Sequence, residues 1–308
     1  DVPRGDVELH LAASGWAAHG HTSDPAYARV VLHVVARNDT GALATRHASG
    51  RAIPVLVLPP PLAQGVFPPP FTPPCALPAA RGAVAAPVLT RLGVRRLRMK
   101  AARAQPLVEA AGPGQALHHL ALEQLGGTAN RAAFAALARR LPLAALLERA
   151  EGMPDRPLAL AAALKGGAAA LVLQRAGLRP LPSPATRLEA AGPLWARLWP
   201  GLTPGWPAAL APAAGLAPLR APGVGRASAV ELAVNAVLPV ALAAGCWSEG
   251  EAAAALAALP SPGTYGRLRR LEGWLGRPFT SAATLQGGLL LHADYCTRGF
   301  CGRCPLSG

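Results

Sequence analysis

The chain has 308 residues, of which 51% are hydrophobic, and a formal net charge of +14 at pH 7. This length is enough for one large domain or two ordinary domains with their own cores. The charge favours polyanionic partners such as nucleic acid, although nearly every basic residue is arginine, and arginine bias alone raises the isoelectric point. No membrane span is predicted, because the most apolar stretch, 229–247, contains Glu231, Asn235 and Pro239 and is typical of a buried helix.

The cysteines indicate a reducing compartment. Three of the five are clustered near the end of the chain, which favours metal chemistry over a disulfide framework. No secretory leader is visible, so we expect a cytoplasmic location. The chain begins at Asp1 without methionine and enters a predicted strand almost at once; we therefore expect that an N-terminal segment is missing.

The first sixty residues carry the pattern of a small β-sheet. Residues 5–11 alternate strictly between polar and apolar types, so Asp6, Glu8 and His10 share one face of a strand. Two later runs rich in β-branched residues predict buried strands at 29–35 and 53–58.

The pattern then changes from strand to helix. Two Pro-Pro-Pro triplets mark residues 61–87 as a stiff connector. Helical periodicity follows from residue 88, is weak across 151–225, and returns near residue 226. The predicted helices are 88–111, 115–126, 129–139, 143–150, 226–244, 248–258, 263–275 and 280–294. The sequence therefore predicts an α+β protein with a β-rich part at 1–60, the connector, and a larger helical region at 88–308.

The polar face of the first strand is a candidate metal site. Asp6, Glu8 and His10 at alternate positions present ligands to a divalent cation such as Mg²⁺ or Mn²⁺. The alternative is an exposed strand face that is polar because it meets water.

Three further histidines follow this strand. His19 and His21 form a His-x-His pair in a predicted loop, a pattern that binds Zn²⁺ or Mn²⁺. His33 interrupts an otherwise apolar strand. We predict all three as metal ligands, with a buried histidine bonded to backbone as the alternative for His33.

The basic residues predict contacts with phosphate. Arg96, Lys100 and Arg103 share one face of a predicted helix and form a candidate nucleic-acid surface. Arg131 lies at the start of a later helix, whose N-terminus attracts anions. The alternative is a solvated helix face without a partner.

The C-terminal cysteines form a second candidate metal site. Cys296, Cys301 and Cys304 have Cys-x4-Cys-x2-Cys spacing, which is typical of an iron–sulfur cluster or a zinc ion. Only four residues follow Cys304, so a fourth sulfur must come from upstream. We favour Cys75 in the proline-rich connector over Cys246; unligated cysteines are the remaining alternative.

Several of these segments together resemble one bacterial family, the domain of unknown function DUF2851. The similarity rests on Gly5-Asp6-Val7-Glu8-Leu9-His10, Trp16, His19-Gly20-His21, Asp24-Pro25-Ala26-Tyr27, Val31-Leu32-His33-Val34-Val35, Arg96, Lys100, Leu125-Gly126, Asn130-Arg131, Phe134, Leu141-Pro142, Asn235, Pro239, Gln286-Gly287, Tyr295-Cys296, Cys301 and Cys304-Pro305. The family's upstream Gly-Pro-Asp-Phe motif is absent from this chain, and Gly15 stands where the family usually has an acidic residue.

With that upstream motif, the first strand is also similar to the PD-(D/E)xK nuclease pattern, with Glu8-Leu9-His10 in place of Glu-x-Lys. The resemblance implies a truncated restriction-endonuclease-like core in which Asp6 and Glu8 hold a metal ion and His10 replaces the lysine. The functions that follow are a metal-dependent nuclease or a nuclease-derived nucleic-acid-binding protein. The alternatives are a non-catalytic structural or interaction protein and an iron–sulfur redox or sensing protein.

Overall fold

The computed structural model describes residues 4–59, 85–174, 183–263 and 265–307. The chain divides into two compact units, Asp1–Thr72 and Pro73–Gly308. A small mixed sheet is followed by a mainly helical region, which confirms the predicted α+β class. Most of the predicted connector, and Cys75 within it, lies outside the described residues.

The N-terminal unit is built on a four-stranded sheet. Its strands are β1 (Asp6–Ala12), β2 (Val30–Arg37), β3 (Ala44–Arg46) and β4 (Ala52–Val57), in the order β1-β2-β4-β3. β1, β2 and β4 are parallel, whereas β3 pairs antiparallel with β4 at the edge. The three predicted strands are confirmed to within two residues. β3 was not predicted, because three residues are too few to carry an alternating pattern.

A short connection links β1 to β2. It contains the helix α1 (Gly15–Ala18) and a 3₁₀ turn at Pro25–Tyr27, which the Asp24 carboxylate caps by accepting from the Ala26 N–H at 2.9 Å. Trp16 on α1 is buried against Val30 and Ile53, and its indole N–H donates to the Arg46 carbonyl. Trp16 therefore anchors the loop that carries the His-x-His pair to the sheet.

The polar face of β1 is the packed face of the strand. Val7, Leu9 and Leu11 are 49%, 67% and 84% exposed, whereas Glu8 and His10 on the opposite face are partly buried. The alternative that these polar residues face water is therefore wrong for Glu8 and His10. The apolar face of a parallel sheet is ordinarily covered, so the orientation of β1 is the reverse of the usual arrangement.

The second unit is helical. Its helices are α2 (Ala85–Leu125), α3 (Gly127–Arg140), α4 (Leu143–Glu148), α5 (Arg156–Ala168), α6 (Pro184–Leu198), α7 (Arg226–Leu232), α8 (Leu238–Ala243), α9 (Glu249–Ala258), α10 (Arg269–Leu275) and α11 (Ala282–Asp294). α2 joins two predicted helices across a kink at Gly112, where φ is 79°. α5 and α6 occupy the region in which the periodicity is weak.

A π-helical segment, Ala233–Val237, joins α7 to α8, so that Arg226–Ala243 is one continuous rod. By length and composition this rod is apolar enough to cross a membrane, but 61% of it is buried inside the protein. The prediction of a buried helix is confirmed here.

α2 and α11 approach each other closely through glycine. A Cβ on Gly93 would overlap the Ala283 carbonyl oxygen, and a Cβ on Gly287 would overlap the Leu89 carbonyl oxygen. Neither position therefore has room for a side chain. This contact places the middle of α2 beside Gln286 of α11.

Replacement of Gly287 by alanine tests this packing. The added methyl group must push the two backbones apart, so we expect Gly287→Ala to lower the free energy of unfolding by about 1–3 kcal/mol, as overpacked cores do. Gly166→Ala is the matched control, because a Cβ there meets no atom within 4 Å, and it should raise stability by about 0.5–1 kcal/mol. Chemical denaturation measures both, and equal effects of the two changes would contradict the close approach.

Candidate metal centre in the N-terminal sheet

Four histidines and one glutamate meet on the packed face of the sheet. Glu8 and His10 lie on β1, and the parallel register places Glu8 next to His33 of β2. His19 and His21 arrive from the loop that follows α1. The sequence predicted all five as site residues, and the fold brings them together.

The histidine rings are joined by short nitrogen–nitrogen contacts. His10 Nε2 lies 3.0 Å from His19 Nδ1, and His10 Nδ1 lies 2.9 Å from His33 Nε2. One nitrogen each from His10, His19 and His21 forms a group whose members all lie within 4.8 Å of one another. His33 stands behind His10, bonded to its other ring nitrogen.

The two carboxylates of β1 have different positions. Glu8 Oε1 lies 3.7 Å from His10 Nε2 and 3.8 Å from His21 Nε2, so Glu8 borders the nitrogen group. Asp6 is exposed, and within the described chain its carboxylate has no hydrogen bond or ion pair with these residues. The pairing register shifts between Asp6 and Val7, where Val31 of β2 has no partner on β1, and Asp6 lies beyond this irregularity, at the start of the strand.

The aromatic residues of the connection fix the rings in place. Tyr27 stacks on His21 with ring centroids 3.7 Å apart, and Trp16 meets both His21 and His33 edge-on or tilted, at 5.6 and 5.4 Å. A ring held between neighbours in this way keeps its orientation when a ligand binds or leaves.

Two of the imidazoles, His10 and His33, are less readily protonated than an ordinary histidine. Burial lowers the pKa of His10 and of His33, and the neighbouring histidines act in the same direction. The Nδ1 atoms of His21 and His33 are buried and have no hydrogen-bond partner among the described residues. A buried ring nitrogen without a partner lowers stability, so this cluster is costly to the fold of the small unit.

The donor set fits a transition-metal ion. Two nitrogens bound to one tetrahedral zinc ion, each at about 2.0–2.1 Å, are roughly 3.3 Å apart, close to the separation of the His10 and His19 nitrogens. Histidines in metal centres also donate their second N–H to an outer partner, and His33 provides that partner for His10.

The C-terminal cysteines lie in a series of turns after α11. Cys296 begins a 3₁₀ turn, Cys296–Arg298, and Cys301 and Cys304 follow it. Burial raises the pKa of the Cys296 thiol, and the adjacent Cys304 and Cys301 raise it further. The Cys304 Sγ lies 3.0 Å from the Ser307 hydroxyl. The three thiols thus interact electrostatically, whereas the predicted fourth ligand, Cys75, lies outside the described residues.

The predicted phosphate-binding residues occupy different environments. Arg96 and Lys100 of α2 turn towards α11 and the π-helical segment, where both donate to the Gln286 side chain. Arg103 is exposed on the same helix. Arg131 is exposed and forms an ion pair with Glu123 at 3.3 Å.

The sequence did not indicate the partners of Lys100. Asn235 and Gln286, which contact it, and Glu231 and Tyr265, which lie one contact further away, come from distant parts of the chain. They occur singly in apolar or basic segments, so no local pattern distinguishes them.

The profile of one family, described as a protein of unknown function (DUF2851), matches residues 2–174. The matched segment covers Glu8 and the four clustered histidines, whereas the C-terminal cysteines lie beyond it. No curated protein and no solved structure matches the chain. Because the match extends over more than half of its length, the chain belongs to the DUF2851 family.

Proposed function

We propose that the N-terminal unit binds a divalent transition-metal ion through His10, His19 and His21 and uses it to hydrolyse a phosphodiester bond. The observation that supports this proposal is the convergence of three imidazoles with a carboxylate, Glu8, beside them. Three protein ligands with a position left open are the pattern of catalytic rather than structural zinc sites.

The ligand types favour Mn²⁺ or Zn²⁺. Mg²⁺ prefers oxygen ligands and dehydrates reluctantly, whereas imidazole nitrogen suits the later first-row metals. With Asp6 outside the cluster, Glu8 is the one carboxylate among the five site residues. The nuclease-type pair of carboxylates is therefore replaced in this proposal by a histidine-rich donor set.

Each residue has a separate role in the proposed reaction. A bound metal ion would polarise the phosphoryl oxygen and make hydroxide available at neutral pH. Glu8 is placed to accept a proton from the attacking water, since its Oε1 lies under 4 Å from two ligand nitrogens. His33 holds the tautomer and orientation of His10.

The choice of a phosphodiester rests on charge and on the strand pattern. The net charge of +14 favours a polyanionic substrate, and Glu8-Leu9-His10 is similar to the Glu-x-Lys strand of PD-(D/E)xK nucleases. Arg103 and Arg131 are exposed and are the predicted residues best placed for contacts with a nucleic-acid backbone.

Metal titration tests the ligand set. We expect Mn²⁺ or Zn²⁺ to bind the metal-free protein with one ion at the histidine cluster, and His19→Gln to abolish this binding. His33→Gln should weaken it by about 10–100-fold, as loss of an outer partner does. His47→Gln is the control, because His47 is a buried histidine of the same unit that bonds Ser49 and the Asp24 carbonyl instead.

The pH dependence of binding follows from the histidine pKa values. Protons compete with the metal for the ring nitrogens. The pKa of His10 lies below its ordinary value of 6.5, so the His10 lone pair stays available as the pH falls past 6.5, and the contribution of His10 to metal binding should be lost only at lower pH. Unchanged binding in His19→Gln, or loss of binding already above pH 6.5, would contradict the assignment.

Hydrolysis by purified protein tests the reaction. With Mn²⁺ or Zn²⁺ and a fluorescent single- or double-stranded oligonucleotide, Glu8→Gln should reduce the rate by about 10²–10⁴-fold, the usual contribution of a general base. Asp6→Asn is the matched control and should retain the rate, because Asp6 lies outside the cluster. Equal losses in both variants would favour the carboxylate pair of a PD-(D/E)xK site. A protein that binds metal but cleaves nothing would favour a non-catalytic role.

We also propose that Cys296, Cys301 and Cys304 bind an iron–sulfur cluster or a zinc ion. Burial and then the neighbouring Cys304 and Cys301 raise the pKa of the Cys296 thiol, and a bound cation would favour the thiolate form of all three. Anaerobically purified protein carrying a cluster should absorb visible light, and Cys301→Ser should remove that absorbance, whereas Cys246→Ser should retain it. Colourless protein that releases zinc to a chelator would identify zinc, and protein with neither metal would overturn the proposal.

A further inference from the structure

A second polar cluster lies inside the helical unit. Arg96 and Lys100 stand one turn apart on α2 and share one acceptor. Gln286 Oε1 accepts from Arg96 Nε at 2.9 Å and from Lys100 Nζ at 2.7 Å. Lys100 also donates to Asn235 Oδ1 at 2.6 Å and to the Val234 carbonyl at 3.3 Å.

The positive charge in this cluster is not neutralised. In the ranges that the structure describes, neither Arg96 nor Lys100 forms an ion pair. The nearest carboxylate in the network, Glu231, accepts from Asn235 Nδ2 at 2.7 Å and from the Tyr265 hydroxyl, so it contacts neither cation. Two adjacent cations with only neutral acceptors are costly in a partly desolvated site.

The surroundings affect the titration of both groups. Burial lowers the pKa of Lys100 to about 7, and the adjacent Arg96 acts in the same direction. Burial also lowers the pKa of Arg96. The lowered pKa values of Lys100 and Arg96 mean that the site without a ligand disfavours positive charge. A bound anion would favour the charged form of both groups and would be stabilised by them.

The cluster has donors left for a ligand. The two terminal amino groups of Arg96 donate to no residue in the described chain, since its one hydrogen bond uses Nε. Arg96, Lys100 and Tyr265 are each partly exposed, whereas Gln286 is buried. Lys100 already donates its three N–H groups to Val234, Asn235 and Gln286, so Arg96 provides the free donors and Lys100 provides positive charge beside them.

The backbone beside the cluster is unusual. Val234 and Asn235 belong to the π-helical segment between α7 and α8. Short π-helical insertions occur frequently at functional sites. Here the segment provides a carbonyl and a side-chain amide to the same lysine, which fixes the Lys100 ammonium at the Gln286 side chain that Arg96 also contacts.

We propose that Arg96 and Lys100 form a binding site for a single phosphate group. A phosphate monoester carries between one and two negative charges near neutral pH and matches two cations, and the planar guanidinium donates to two of its oxygens at once. The free donors come from one guanidinium with one further cation beside it, so the site suits a single phosphate group rather than a run of backbone phosphates. The proposal does not depend on the metal centre.

Lysine labelling tests this site in the unmodified protein. Lys100 and Lys165 are the only lysines of the chain, so a limiting amount of an acetylating reagent and peptide mass spectrometry report on each separately. Bound phosphate should slow acetylation of Lys100, because each unit by which the anion raises the lysine pKa lowers the neutral amine fraction about tenfold. Lys165, exposed and ion-paired with Glu189, should label at an unchanged rate. Sodium chloride at the same ionic strength is the control.

Variants test the role of Arg96, and a second ligand identifies the source of the phosphate. Arg96→Gln should lose the protection by phosphate, and Arg98→Gln, an exposed arginine of the same helix paired with Glu249, should keep it. Protection by inorganic phosphate and by a 5′-phosphorylated oligonucleotide would identify a nucleic-acid terminus as a source, and protection by inorganic phosphate alone would identify a small phosphorylated ligand.

Three outcomes would overturn the proposal: unchanged labelling of Lys100 in phosphate, equal protection in Arg96→Gln, or equal protection by a 5′-hydroxyl oligonucleotide. His19→Gln, which removes the proposed metal centre, should leave phosphate protection intact. Failure of one site is therefore distinguishable from failure of the other.

Discussion

The parallel pairing of β1 with β2 determines the N-terminal unit and its candidate site. The register sets Glu8 beside His33 and His10 beside Val35, and side chains at paired positions lie on the same face of a sheet. A shift by one residue would move His10 to the opposite face, away from His33. The short connection between β1 and β2, which Trp16 anchors to the sheet, then brings His19 and His21 over the same face.

This arrangement places polar groups where a small unit would ordinarily have its apolar core. The buried hydrophobic cluster of the unit consists of Trp16, Val30 and Ile53, with Tyr27 against it, while imidazoles occupy the adjoining space. Local features that disagree with the general rules of folding concentrate at functional sites, where stability is lost for a chemical purpose. Such features here are the Nδ1 atoms of His21 and His33, which have no hydrogen-bond partner among the described residues. The exposed apolar face of β1 is another.

Much of this could be predicted from the sequence, because its signals are local. Alternation identified β1 and the shared face of Glu8 and His10, and the spacing of His19 and His21 marked them as a pair. The direction in which that face points is not local, since strict alternation is the same whichever side is buried. The shift of register beside Asp6 depends on how β2 pairs with β1. The partners of Lys100 lie more than 130 residues away along the chain, beyond the reach of any periodicity.

X-ray absorption spectroscopy at the metal edge is the most direct test of a histidine-ligated centre. The sample is the full chain loaded with one equivalent of Zn²⁺ and carrying serine in place of Cys296, Cys301 and Cys304, so that the thiols do not compete. A zinc ion bound by His10, His19 and His21 should show a first shell of nitrogen and oxygen at about 2.0–2.1 Å. The spectrum should also show the outer-shell scattering of about three imidazole rings. A shell of oxygen alone without imidazole scattering, or a zinc ion that no longer binds once the cysteines are replaced, would contradict this assignment.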